Sequence, residues 1–205
     1  MKKKIISSCM KKIENKNKYT NTELLEIKYG LEGIYLMISK FIIVGIISAI
    51  LGIFKEMVIY VCLYNLLRIP SFGLHATKSW ICLLAMIVLF IGIPLVSLHL
   101  TIPIIIKIVI GIVGIIFMFK NSPADTKKKP IINKKRRQVY KFISTIETII
   151  FCILALLIKN NFISNCLIFS IIMQNCMISP TVYKIFNLPY NNYIKFLDEH
   201  PDFAQ

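Results

Sequence analysis

Acidic residues are scarce in this chain: 10 Asp and Glu stand against 25 Lys and Arg, a net charge of +15 over 205 residues. No recognisable nucleic-acid-binding module accompanies that excess. The basic residues instead sit in two polar blocks flanking apolar runs, which reads as membrane topology and contact with anionic lipid, not as nucleic-acid binding. Metal-ligand spacing is also missing: there is no CxxC and no His/Cys cluster, so neither zinc nor any other metal or cofactor is expected. The six cysteines show no disulfide framework. Cys62, Cys152, Cys166 and Cys176 lie within apolar runs, where a small thiol is ordinary. Lys2, Lys3 and Lys4 open the chain as a signal peptide would, yet Ile5 and Ile6 lead into charged sequence, so the start is expected to be retained.

Apolar sequence is what the chain has in abundance. Apolar residues make up 56% of it and mean hydropathy is +0.68, with runs too long for the core of a water-soluble domain. The expected fold is all-α, a polytopic bundle of about six transmembrane helices in the cell membrane. The runs are Ile34–Phe54, Met57–Leu67, Ile81–Leu98, Leu100–Phe119, Phe142–Ile158 and Phe162–Ser179. Before them, Thr20–Leu31 reads as an amphipathic helix capped by Thr22, lying on the inner leaflet or solvated. Pro94 and Pro103 are expected to kink the third and fourth spans.

The charges address topology. Lys120–Lys141 holds nine Lys and Arg and one acid, Asp125, so this loop and the lysine-rich start should both be cytoplasmic. An even number of crossings must then join them. That requires Met57–Leu67 to cross although it is short, giving six spans with both termini inside; the competing layout makes 57–80 re-entrant. The chain divides accordingly into 1–33, a basic inner-leaflet segment; 34–180, the transmembrane domain with its basic loop 120–141; and 181–205, a cytoplasmic tail.

One stretch interrupts the apolar pattern, Arg68-IPSFGLHATKSWIC, in which Cys82 follows His75 by seven positions. Pro70 should end the second helix near Arg68. Gly73 permits a positive φ or a close backbone approach just before His75. Thr77 or Ser79 can cap the next helix, placing Cys82 in its first turns, where a helix N-terminus favours a thiolate. In one unbroken helix the two side chains would be separated by about 10.5 Å of rise, so His75 must lie on a bend if the pair is to act as a catalytic dyad. A histidine at an interfacial loop and a cysteine in an apolar helix are each common without catalysis.

The segment resembles the signature of the AgrB family, the membrane peptidases of accessory gene regulator quorum-sensing systems in Gram-positive bacteria. Arg68, Gly73, His75 and Cys82 match in order and spacing. Pro123-Ala124-Asp125-Thr126-Lys127-Lys128-Lys129-Pro130 resembles the family's PA-x-T-KKKP loop, and Tyr29-Gly30-Leu31-Glu32 a shorter motif before the first span. Many members carry two glycines before the histidine; here the first is Phe72. His99 and His200 match no family position.

The resemblance implies a cysteine peptidase acting on an AgrD-like propeptide, with Cys82 as nucleophile and His75 as general base and then acid. It also implies a homodimer. Arg68 would bind a substrate carboxylate, help hold an oxyanion, or simply end a helix at the headgroups. Lys127, Lys128 and Lys129 would attract the propeptide's acidic tail or serve topology alone. Glu32, Asn65, Ser79, Glu147 and Gln174 are the residues available to orient His75, and the sequence does not choose among them. Two other classes stay open: a transporter or exporter without covalent catalysis, and a non-catalytic membrane assembly or lipid-binding protein.

Overall fold

The structure, a computed structural model, describes residues 2–14, 19–74, 78–126 and 130–200. All regular structure among them is helical: α1 (Lys2–Glu14), α2 (Asn21–Ile50), α3 (Phe54–Ser71), α4 (Ser79–Ile87), a π turn (Val88–Gly92), α5 (Ile93–His99), α6 (Ile104–Asn121), α7 (Lys134–Leu157), α8 (Asn161–Ile178), α9 (Pro180–Ile185) and α10 (Asn192–Glu199). Five stretches are long and apolar enough to cross a membrane: α2, the α4–α5 stretch Ser79–His99, α6, α7 and α8. This is a multi-pass membrane protein. The second apolar run lies inside α3, whose 18 residues reach about 27 Å at 1.5 Å per residue, so six spans holds as an approximate count.

Contacts divide the chain into two compact units, Met1–Gly52 and Ile53–Gln205. In the first, α1 packs along α2, burying Ile6 and Met10, and Lys2 Nζ pairs with Glu32 Oε2 at 2.6 Å. The amphipathic stretch and the first span are one helix. Its cap is Thr20 and not Thr22: the Thr20 hydroxyl accepts from the Glu23 N–H, and Glu23 Oε2 accepts from the Thr20 N–H at 2.7 Å. That reciprocal pairing fixes the helix start two residues earlier than expected.

The second unit is organised around α8, which packs against α3, α5, α6 and α7 and has half of its span buried, the largest share of any span. Its polar residues face inward, as backbone and side-chain dipoles must when the surroundings are lipid. Ser164 Oγ accepts from Lys107 Nζ of α6 (2.7 Å), and Asn165 Nδ2 donates to the Leu100 carbonyl (2.6 Å). Leu67, Phe151, Ala155, Leu167, Ile168 and Ile171 fill the space between α3, α7 and α8. Outward, α6 exposes Ile104, Ile105, Val109, Ile112, Val113 and Ile116, the surface a lipid phase requires.

The prolines differ from expectation in two places. α3 runs past Arg68 to Ser71 with Pro70 inside its last turn; a proline removes one hydrogen bond there without stopping the helix, because the chain is about to leave it. Pro103 does not kink a span but stands at the N-cap of α6, with φ −58 and ψ 146, where a missing N–H costs little. Pro94 follows the π turn. It cannot donate to the Phe90 carbonyl, and a widened turn is a common way to absorb that loss.

Candidate active site

The chain leaves α3 through two residues with positive φ. Phe72 has φ 57 and Gly73 has φ 117. The backbone thus takes up glycine-like geometry at both positions, although Phe72 is not a glycine. Gly73 also meets a close neighbour: a Cβ there would fall 2.8 Å from the Met177 carbonyl oxygen and 3.1 Å from Arg68 Nη1.

Three elements clamp this short stretch. Gly73 N–H donates to the Ala124 carbonyl (2.9 Å) and Ala124 N–H to the Ser71 carbonyl (3.0 Å), a parallel bridge between Phe72 and Ala124. Leu74 N–H donates to the Met177 carbonyl at the end of α8 (3.0 Å). Gln174 Nε2 donates to Ser71 Oγ (2.6 Å) and to the Phe72 carbonyl (2.8 Å). The Arg68 and PA-x-T segments, some fifty positions apart, are therefore joined through their backbones.

Arg68 completes the clamp from α3. Its Nη2 donates to the Leu74 carbonyl at 2.7 Å, and its Nη1 lies 3.4 Å from Tyr64 Oη. Among the described residues, the guanidinium is the one charged group in the wall of a cavity of about 260 Å³ whose other lining includes Cys82, Leu74, Phe90, Met177 and Val182. Cys82 is the fourth residue of α4, and its amide makes an early intrahelical bond, to the Lys78 carbonyl (3.2 Å). Lys78 occupies the N-cap without a side-chain bond, so Ser79 is the first helical residue and not a cap. All six cysteines, Cys82 among them, carry free thiols.

His75, Thr77, Lys127, Lys128 and Lys129 lie outside the described residues. Of the residues considered for orienting the histidine, Gln174 touches the stretch leading to it. Asn65 donates to the Val61 carbonyl of its own helix, Ser79 is exposed, and Glu32 pairs with Lys2 within the first unit. Glu147 has a buried Oε2 with no hydrogen-bond partner among the described residues. Among those residues no group of three or more His, Cys, Asp or Glu stands together to hold a metal.

Asp125 organises the far side of the bridge. Its carboxylate accepts from the N–H groups of Asn192 (2.9 Å) and Tyr193 (2.7 Å) at the start of α10, and its carbonyl accepts from Tyr183 Oη (3.1 Å). Burial, and after it the Asp125 carboxylate, raise both nearby phenols, Tyr190 to about 12. They remain neutral donors.

The model of the family described as Accessory gene regulator B matches residues 3–178. The chain belongs to the AgrB family. Relatives include the AgrB-like protein of Listeria monocytogenes, 36% identical over 84% of this chain and 84% of that protein. The AgrB-like protein of Clostridium acetobutylicum is 28% identical over 90% and 88%, and the Accessory gene regulator protein B of Staphylococcus aureus 30% over 84% and 91%. No solved structure matches the chain at a significant level. The AgrB match ends at Ile178, the last residue of α8, and so takes in the cavity's α3, α4 and α8 walls but not Val182.

Met177 and the backbone of Ala124 were not among the site residues the sequence suggested. A carbonyl that receives a distant N–H leaves no mark in the side chain it belongs to. Gln174 did carry a signal, a polar residue inside an apolar run.

Proposed function

We propose that this protein is a membrane cysteine endopeptidase that removes the C-terminal tail of an AgrD-like propeptide and supports closure of the remaining peptide into a ring. One observation supports the reading above others: Cys82 shares a cavity with Arg68, and Arg68 holds the carbonyl of Leu74, the residue before His75. The Cys82 thiolate attacks the carbonyl at the junction of signal and tail. The C–N bond breaks, His75 delivers a proton to the departing amine, and a thioester on Cys82 remains. An internal thiol or hydroxyl of the substrate then attacks the thioester, forming the ring and freeing Cys82. Exchange keeps the acyl group activated, so ring closure needs no nucleotide. The apolar wall favours exchange over hydrolysis by limiting water.

In this scheme Arg68 is a positioning residue for the His75 turn, and Lys127, Lys128 and Lys129 draw in the acidic tail from the cytoplasmic side. Both termini are cytoplasmic and α3 crosses the membrane. Co-expression of a neighbouring AgrD-like propeptide with wild type and with Cys82→Ser, followed by mass spectrometry of the peptide, tests the reading. Wild type yields the shortened peptide, and Cys82→Ser, present in the membrane at wild-type level, yields none. Processing by the serine variant at the wild-type rate refutes it, and export of an uncut peptide by both proteins favours a non-covalent exporter.

A further inference from the structure

A second cleft, of about 410 Å³, opens where α6 ends and α7 begins. Lys120, Lys134, Arg137 and Lys141 line it, and among the described residues no acidic side chain does. The nearby acid, Asp125, is committed to the amides of Asn192 and Tyr193. Arg137 stacks on the Tyr193 ring, 3.5 Å from its centroid, yet its Nη1 is buried and has no hydrogen-bond partner among the described residues. A buried charged donor left unpaired is costly, which marks a place where an acceptor belongs.

The helix adds to the imbalance. Lys134, Lys135, Arg136 and Arg137 occupy the first turn of α7, the end where the backbone dipole is already positive. Cations there repel one another and the helix end alike, unless an anion lies between them. α6 and α7 both qualify as membrane spans, and Phe119 and Phe142 beside the cleft are exposed at 52% and 64%. A cationic pocket flanked by apolar helix faces suits a ligand with an acid head and acyl chains. An acidic peptide would answer the charge but leave the apolar flanks bare, and a zwitterionic head would find no acid for its ammonium.

We propose that this cleft holds the phosphate of an anionic phospholipid, with Arg137 Nη1 donating to a phosphate oxygen and Lys120, Lys134 and Lys141 supplying the surrounding charge. The site lies apart from the Cys82 cavity and does not depend on the peptidase reading. Its role is to anchor the α6–α7 connection, and with it the Ala124 bridge, at the anionic leaflet.

Native mass spectrometry of the full chain, released in detergent and titrated with phosphatidylglycerol or phosphatidylcholine, reads the site directly. Wild type retains phosphatidylglycerol in preference, and Arg137→Gln lowers that retention about fivefold, as expected for one cation at an anionic headgroup. Lys135→Gln removes the same charge from the same turn outside the cleft and leaves retention unchanged. Lys120→Gln, an exposed residue at the end of α6, serves as a second cleft variant should Arg137→Gln not fold, and lowers retention likewise. Equal loss in Lys135→Gln, no preference over phosphatidylcholine, full displacement by millimolar inorganic phosphate, or displacement by a short poly-glutamate peptide would each overturn the proposal. The last two outcomes assign the cleft to a free anion or to an acidic peptide.

Discussion

At the scale of single residues, Gly73 is the position with least freedom. Its φ of 117 is closed to side-chain-bearing residues, and a Cβ would press on the Met177 carbonyl. Gly73→Ala therefore combines backbone strain with loss of the Leu74–Met177 bond, for a destabilisation of about 3 kcal/mol. Thermal unfolding in detergent should show it as a lowered midpoint, and an unchanged midpoint would contradict the clamp. Arg68 makes a different prediction. Removing its charged donor from the Leu74 carbonyl costs about 1.5–3 kcal/mol, so Arg68→Ala should slow propeptide processing roughly 10- to 100-fold. A residue that positions the His75 turn loses kcat at constant KM, whereas one that binds a substrate carboxylate raises KM. Steady-state kinetics on both Arg68→Ala and Arg68→Lys separates these, and Lys, a single point of charge, recovers part of the rate. Gly73 was legible before the fold was known, because a glycine just before His75 permits the positive φ or close backbone approach that a turn there can use. The second positive φ, at Phe72, was not: its ring sits 5.1 Å from Tyr140, a packing partner no local pattern announces.

At the scale of elements, small residues decide how closely α6 can approach its neighbours. A Cβ on Gly114 would lie 2.5 Å from Ile171 Cγ2 of α8, and one on Gly111 would lie 2.9 Å from Cys152 Sγ of α7. Between helices in lipid, such contacts replace the hydrophobic drive that water would supply. Gly114→Val should cost about 1–3 kcal/mol by overpacking, seen as a lower unfolding temperature, whereas Gly33→Val on α2, where nothing stands within 4 Å, should leave that temperature nearly unchanged. The helices themselves were readable as apolar runs, since length and hydropathy suffice to mark a span. Their ends were less so. α3 gained residues at both ends and α2 absorbed the stretch before it, because tertiary contacts and the Thr20–Glu23 cap set those limits. α1 was missed altogether: its fully buried apolar side chains are Ile6 and Met10, set among lysines, too thin a stripe to stand out. The parallel bridge was hidden for a deeper reason, since backbone pairing between Phe72 and Ala124 uses groups that every residue possesses.

At the scale of the whole molecule, the placement of charge and the course of α3 constrain one another. The nine cations of Lys120–Lys141 and the lysines at the start both belong on the cytoplasmic side if positive charge resists translocation. α2, the α4–α5 stretch and α6 are each long and apolar enough to cross once, an odd number together, so the two basic regions share a side only if α3 crosses as well. Its 18 residues suffice for about 27 Å, short of a typical hydrocarbon core by a few ångströms that local thinning can supply. Lys55 and Glu56 at one end and Arg68 at the other then fall near the two headgroup layers, which also puts the Arg68 clamp and the entrance to α4 at the inner boundary. An alkaline phosphatase fusion after Pro130 should accordingly be inactive and a fluorescent-protein fusion at the same point bright. Phosphatase activity there would make α3 re-entrant and place the cationic cleft of α6 and α7 outside, away from the anionic inner leaflet. The lipid site and the six-span arrangement would then fail together, while the Cys82 cavity, built from contacts within one unit, would survive with its substrate arriving from the other side.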